Sequence, residues 1–167
     1  VVECEPAGVR TLDPVVFWAT NQVDPHKQRQ LVLSLQATCP FVEEESFRRI
    51  VERLESQPSV DSCLTVIDDR HLRFSGPLDH PVLVTPWLIR QHLPPIWRPT
   101  GGCIGTKRSY ITPQRRFGGQ VSLVAVSARE AIDIDTWEDW ALAEYMLDKN
   151  KADTASSTGR TASAVPC

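Results

Sequence analysis

Two carboxylates spaced i, i+2, Asp133 and Asp135, lie in the run Ala131-Ile132-Asp133-Ile134-Asp135-Thr136-Trp137-Glu138-Asp139-Trp140. In extended backbone, side chains two positions apart point the same way, so this pair can share one hard cation. Mg²⁺ suits it, because that ion is commonly held through one or two carboxylates while substrate phosphates and water complete its shell. The same residues have a second use. Asp135 followed three positions on by Glu138 has the form of a capping box, with Asp135 accepting free N–H groups of a first helical turn. The two uses are compatible, since a cap has no need of Asp133.

The elements around the pair set where it would sit. Residues 121–128 (VSLVAVSA) form a short, mostly apolar run of buried-strand type, and residues 136–147 place Trp140, Ala143 and Leu147 at helical spacing. Asp133 and Asp135 then fall in the crevice outside a strand's carboxyl end, where open parallel sheets bind ligands. Upstream, residues 1–4 read as a short strand. Asp13-Pro14 reads as a helix start, with Asp at the N-cap and Pro at the first helical position, and the helix runs to about Val23 before Pro25 ends it. Residues 30–36 (QLVLSLQ) form a buried strand. Residues 43–57 form the clearest amphipathic helix, with Phe47, Ile50, Val51 and Leu54 at i, i+3, i+4 and i+7 and acidic Glu43-Glu44-Glu45 suited to its dipole. Residues 62–67 (SCLTVI) return as a strand.

This alternation predicts an α/β domain over residues 1–147, with strands 30–36, 62–67 and 121–128 in one mainly parallel sheet and helix 43–57 packed on it. Between residues 68 and 99, six prolines rule out long helices, leaving a loop-rich insertion with a short hairpin around residues 72–74. Residues 148–167 turn to Ala, Ser and Thr without apolar periodicity and read as a disordered tail.

Composition narrows the function classes. A chain of 167 residues with 41% hydrophobic and 23% charged residues is long enough for one domain with a real core. A net charge of -3, with Lys107-Arg108 and Arg115-Arg116 as isolated basic pairs, argues against nucleic-acid binding, which is driven by basic surface and counterion release. No apolar run reaches membrane-span length, and the amino terminus lacks a charged region followed by an apolar one. A soluble, cytoplasmic protein with no membrane partner is expected. The five cysteines are scattered without a C-x-x-C pair, so reduced thiols are expected, and the four histidines show no metal-ligand spacing.

Four segments stand in chain order: Gln36-Ala37-Thr38-Cys39-Pro40, Arg90-Gln91-His92-Leu93-Pro94, Arg98-Pro99-Thr100-Gly101-Gly102, and Asp133-Ile134-Asp135-Thr136 with Asp139, Ala143 and Glu144. Together they resemble the Q-P-T-S-P, R-Q-x-L-P, R-P-N-G-A and D-I-D-T-x-x-D-x-x-x-A-E motifs of the acylneuraminate cytidylyltransferases, the CMP-sialic acid synthetases. The resemblance extends from about Val1 to Leu147. It implies a three-layer, Rossmann-like nucleotidyltransferase fold of the nucleotide-diphospho-sugar transferase type. It also implies an enzyme that joins a nonulosonic acid to CTP with release of pyrophosphate, chemistry made mostly of positioning and charge neutralisation. On that model Arg90, Asp133 and Asp135 are catalytic, and Asp133 and Asp135 hold Mg²⁺. Gln36, Thr38, Gln91, Thr100 and Gly101 bind substrate, Gln36 by an amide that donates and accepts and Arg90 by a fork that meets a carboxylate or phosphate.

The chain also departs from the family. That family opens with a glycine-rich basic loop for the triphosphate, whereas the first 75 residues here hold Gly8 as their one glycine. Glu5-Pro6 stands where Arg-Pro is usual, Thr100 replaces Asn, and Ile104 stands near a usual Tyr. The insertion is shorter than the family's dimerisation lobe, which bears on the expected homodimer. The chain is therefore expected to match the family's C-terminal two-thirds, N-terminally incomplete and without turnover by itself. The alternative expectation is a non-catalytic sugar-acid-binding protein or partner subunit.

Overall fold

The structure, a computed structural model, describes residues 11–158, and side chains as far as residue 149. Along the chain it places α1 (Asp13–Val23), β1 (Leu31–Leu35), α2 (Glu44–Ser56), β2 (Ser62–Asp68), β3 (Phe74–Ser75), β4 (Val82–Leu83), β5 (Trp97–Lys107), β6 (Val121–Ala125) and α3 (Trp137–Thr158). The strand expected over residues 1–4 lies outside the described residues. So do residues 159–167, while α3 continues to Thr158, past the end at Leu147 that apolar spacing suggested. Among the described residues no helix is long and apolar enough to cross a membrane.

Four strands form one mixed sheet in the order β1-β5-β2-β6, and β3 and β4 pair separately as a short hairpin. β1, β2 and β6 share one direction, and β2 pairs with β6 in parallel, Leu64 opposite Leu123. β5 runs against them between β1 and β2, with Leu33 opposite Gly105 and Leu64 opposite Ile104. The expected mainly parallel sheet is corrected here: two of its three pairings are antiparallel. The inserted strand escaped notice because Pro99, Gly101, Gly102 and Gly105 interrupt any apolar pattern. Pro99 is tolerated because β1 pairs with β5 from Cys103 to Lys107 and leaves that edge open at residue 99.

The strands split their side chains between two faces, as a period of two requires. On one face Ile50 and Leu54 of α2 bury against Cys63, Cys103 and Val124. On the other, Leu64, Val66 and Ile104 pack with Phe117 and Leu123. A Cβ on Gly105 would stand 2.5 Å from Ile50 Cγ2 and 2.8 Å from Leu54 Cδ1, so the missing side chain is what lets α2 lie directly on β5. A third cluster of Phe41, Ile132 and Ala143, with Ile134 and Met146, seats α3 on the loops that precede α2 and follow β6.

α1 begins one residue earlier in register than its Asp-Pro signal suggested. Leu12 is the N-cap, with no side-chain cap bond, and Asp13 turns outward from that task to accept the Arg116 N–H at 2.8 Å. At the other end of α1, buried Arg108 donates to Asn21 and faces Asp24 at 3.9 Å.

Asp24 and Asp61 tie loops together as acceptors and should make the fold acid-sensitive. The Arg29 N–H, then the Gln28 N–H, hold Asp24 below the usual carboxylate range against a counter-push from burial. The Gln120 N–H foremost, with the Tyr110 hydroxyl, does the same for Asp61. A depressed folded pKa stabilises the fold above the unfolded value, about 3.9 for Asp, and that stabilisation is lost as pH falls through the folded value. Thermal unfolding followed from pH 7 to pH 3 should show a Tm that is flat to about pH 5 and then falls, with a shallower fall in Asp61→Asn. A Tm indifferent to acid would contradict these assignments.

Candidate functional site

The site begins with an irregularity in β5. Between the pairs Leu64–Ile104 and Val66–Pro99, β5 advances by five residues where β2 advances by two. Such bulges bend a strand and re-aim what it carries. The surplus residues wrap around Thr65, whose hydroxyl lies 2.8 Å from that of Thr100 and accepts the Cys103 N–H at 3.0 Å. At the tip, Gly101 has φ +76, and a Cβ there would stand 2.0 Å from Gln36 Oε1. Only glycine takes this conformation at no steric cost, and the bare Cα is what the half-buried Gln36 amide packs against.

Gln36 directly follows β1, and its loop is stitched to the one that follows β6. The single S–H proton of Cys39 has two acceptors within reach, the Thr100 carbonyl at 3.3 Å and Asp133 Oδ1 at 3.5 Å. The Ile134 N–H donates to the Thr38 carbonyl at 2.9 Å. Gln36, Thr38, Gly101 and Asp133 thus assemble around Cys39 at the carboxyl ends of β1 and β6, the end at which such sheets bind ligands. Burial first, then the charge of Asp133 and its hydrogen bond, and more weakly the charge of Asp135, push the Cys39 thiol up to about 11. At neutral pH it remains a protonated donor.

Both carboxylates therefore put their field on one thiol, and among the described residues neither forms an ion pair with Lys, Arg or His. No group of three or more His, Cys, Asp or Glu is arranged for a metal among those residues. Two uncompensated hard oxygen donors without a protein cage fit Mg²⁺, which keeps several waters and takes phosphate oxygens as its remaining ligands. They do not fit a structural metal.

The helix that follows is capped, one residue later than the expected Asp135/Glu138 pair. Asp139 Oδ2 accepts the Thr136 N–H at 2.9 Å and the Asp135 N–H at 3.2 Å, while the Asp139 N–H returns to the Thr136 hydroxyl at 3.2 Å. This is a capping box on Thr136 and Asp139, and it leaves the Asp135 carboxylate out of the cap. The Thr136 hydroxyl, then the Asp135 and Thr136 N–H groups, hold Asp139 below its ordinary pKa. Thr136→Ala should cost about 1 kcal/mol in urea unfolding. An unchanged midpoint would show that the cap contributes nothing.

The other expected site residues lie differently. Thr100 is 2% exposed with its hydroxyl on Thr65, which makes it a strut of the bulge. Arg90 and Gln91 are exposed on a short 3-10 turn beyond the carboxyl end of β2. Arg90 lines a separate hollow of about 540 Å³ with Arg70, His71, Trp87 and Leu93, and no described contact joins it to the Asp pair. A larger hollow, about 800 Å³ with Lys27, Arg29, Lys107 and Arg108 in its wall, is at the opposite end of the sheet, beside the amino end of β1 and the carboxyl end of α2.

Two residues of the assembly were missed in the sequence. Cys39 was seen only as part of a loop motif. Glu130 was not singled out, although Ser127-Ala128-Arg129-Glu130 has the S-x-x-E form of a capping box and makes its reciprocal bonds, at 3.3 and 3.2 Å.

No family model and no curated protein matches this sequence. Among solved structures, the fold is similar to that of 4-diphosphocytidyl-2C-methyl-D-erythritol synthase from Anaerococcus prevotii, with a TM-score of 0.62 and 18% identity over 84% of this chain and 68% of that one. At that identity the likeness is one of fold: an α/β domain with a mixed four-stranded sheet.

Proposed function

We propose that this chain is a nucleotidyltransferase of the acylneuraminate cytidylyltransferase type, with a three-layer Rossmann-like fold, that activates a nonulosonic acid with CTP. The observation that carries the reading is the contact of Cys39 with Asp133, 94 positions apart, which brings the Q-A-T-C-P and D-I-D segments to one point. A second support is the likeness of fold to a synthase named for a diphosphocytidyl product.

In this reading the sugar hydroxyl attacks the α-phosphorus of CTP and loses its proton to water, the bond from that phosphorus to the bridging oxygen breaks, and pyrophosphate leaves with the electron pair. Asp133 and Asp135 hold Mg²⁺, which when bound neutralises phosphate charge and lowers the cost of crowding anions. Gln36, held over Gly101, hydrogen-bonds the acceptor sugar, and Thr38 flanks it. Arg90 and Gln91 meet an anionic group of the substrate from their own turn, and Thr100 acts through the bulge it braces. The homodimer belongs to the same reading, with Leu78, Trp87 and Ile89 of the insertion as exposed apolar surface for a second copy.

Phosphorus NMR of the chain with CTP and Mg²⁺ tests the nucleotide site of this reading. The expected result is CTP phosphate resonances shifted by the wild type, an effect lost with Asp133→Asn, and no pyrophosphate from this chain by itself. Resonances unmoved by the wild type, or moved equally by Asp133→Asn, would overturn the reading, and pyrophosphate with a new phosphodiester resonance would overturn the expectation that the chain does not turn over alone.

A further inference from the structure

Glu130 is 6% exposed, a charged side chain in a place where charges are seldom left without a partner. Among the described residues it has no cation beside it, and the guanidinium of its neighbour Arg129 lies over the Phe41 ring at 4.9 Å. What it has is the first turn of α2. Its Oε2 accepts the Ser46 hydroxyl at 2.6 Å and the N–H of Glu43 at 3.1 Å, and Glu43 is the N-cap whose own side chain makes no cap bond. Its Oε1 accepts the Ser127 N–H at 3.3 Å. The positive end of α2 thus compensates a carboxylate supplied from a distant loop, across a separation of 87 residues.

That bond sits between the two segments of the candidate site. On one side, Glu43 is four residues beyond Cys39, whose thiol faces Asp133. On the other, Ala131 and Ile132 follow Glu130 directly, both 8% exposed and fixed by the Ala131 N–H on the Ser127 carbonyl and by Ile132 in the α3 cluster. Asp133 is the next residue. We propose that Glu130 is a positioning residue that sets the Asp133 and Asp135 carboxylates against the loop after β1 by anchoring the β6–α3 connection to the N-terminus of α2. The proposal rests on the reading of that Asp pair as a Mg²⁺–phosphate site. Groups hydrogen-bonded directly to metal ligands change metal affinity by about 10- to 100-fold when removed, and Glu130, which acts through the chain that leads to Asp133, falls at the lower end of that range.

The test is Mn²⁺ affinity in the presence of CTP, read from the electron paramagnetic resonance signal of free Mn²⁺, in the full chain. Glu130→Gln keeps the shape but turns an N–H donor toward one of the three donors that the carboxylate now accepts. Ser46→Ala removes a single contact, keeps the carboxylate, and serves if Glu130→Gln does not fold. Ile50→Val trims the core under α2 without removing any hydrogen-bond partner of Glu130 and controls for loss of stability alone. The expected result is Mn²⁺ binding weakened at least about tenfold in Glu130→Gln, weakened less in Ser46→Ala, unchanged in Ile50→Val and lost in Asp133→Asn. Wild-type affinity in Glu130→Gln and Ser46→Ala, with binding lost in Asp133→Asn, would overturn the role of Glu130 and leave the Asp pair standing. Equal weakening in Ile50→Val would overturn it as a mere effect of stability. Absence of Mn²⁺ binding in the wild type, or its persistence in Asp133→Asn, would overturn the Asp reading and this proposal with it.

Discussion

Mg²⁺ with CTP should raise the Tm of the wild-type chain, and Asp133→Asn should abolish that rise. A ligand present at about 100 times its Kd stabilises the folded state by about 2.7 kcal/mol. For a domain of this size that is a shift of roughly 5–10 °C. The substitution is nearly isosteric, and an Asn Oδ1 still accepts the Cys39 thiol, so the loop contact at 3.5 Å survives while the charge proposed to hold the cation goes. Asp135→Asn should lose most of the same shift with α3 intact, because the cap is made by Thr136 and Asp139 and takes only the Asp135 N–H. Scanning fluorimetry of the three proteins with and without ligand decides it. Equal shifts in all three would leave the Asp pair with a structural role only.

Ile50→Ala should cost about 3–5 kcal/mol, a large fraction of the stability of any domain of this size. Ile50 has no exposed surface and packs among Leu54, Cys63, Cys103 and Val124. The truncation opens a cavity where α2 lies closest to the sheet. The neighbours cannot collapse into it easily, since Gly105 offers no side chain to move and β5 is pinned by strands on both sides there. Urea unfolding should show a lower midpoint with an unchanged slope. A loss below about 1 kcal/mol would mean that this face of the sheet is loosely packed.

The parts of the fold that were legible in the sequence are those whose chemistry is local. Phe47, Ile50 and Leu54 announced α2 by their spacing, and the apolar runs announced β1, β2 and β6, because each pattern is written in consecutive residues. β5 was illegible for the opposite reason. Its glycines and Pro99 look like loop punctuation, and they make sense only once α2 lies on Gly105, Gln36 packs on Gly101 and β1 stops short of Pro99. The helix caps were read one residue off at both Asp13 and Asp135, since Asp, Thr and Glu all compete for that task and geometry alone chooses among them. At the candidate site, the motif order suggested which segments meet, but the thiol between Asp133 and Thr100 and the carboxylate of Glu130 act on partners 61 to 94 positions away. Such partners leave no local trace.

The central claim is that nucleotide and metal bind where the loops after β1 and β6 meet, and paramagnetic broadening of backbone amide resonances by Mn²⁺–CTP tests it most directly. The account predicts broadening centred on Thr38, Gly101 and residues 133–136, lost in Asp133→Asn, with Lys27, Arg29 and Lys107 at the far end of the sheet unaffected. Broadening centred on Lys27, Arg29 and Lys107, around the larger cation-rich hollow, would contradict it.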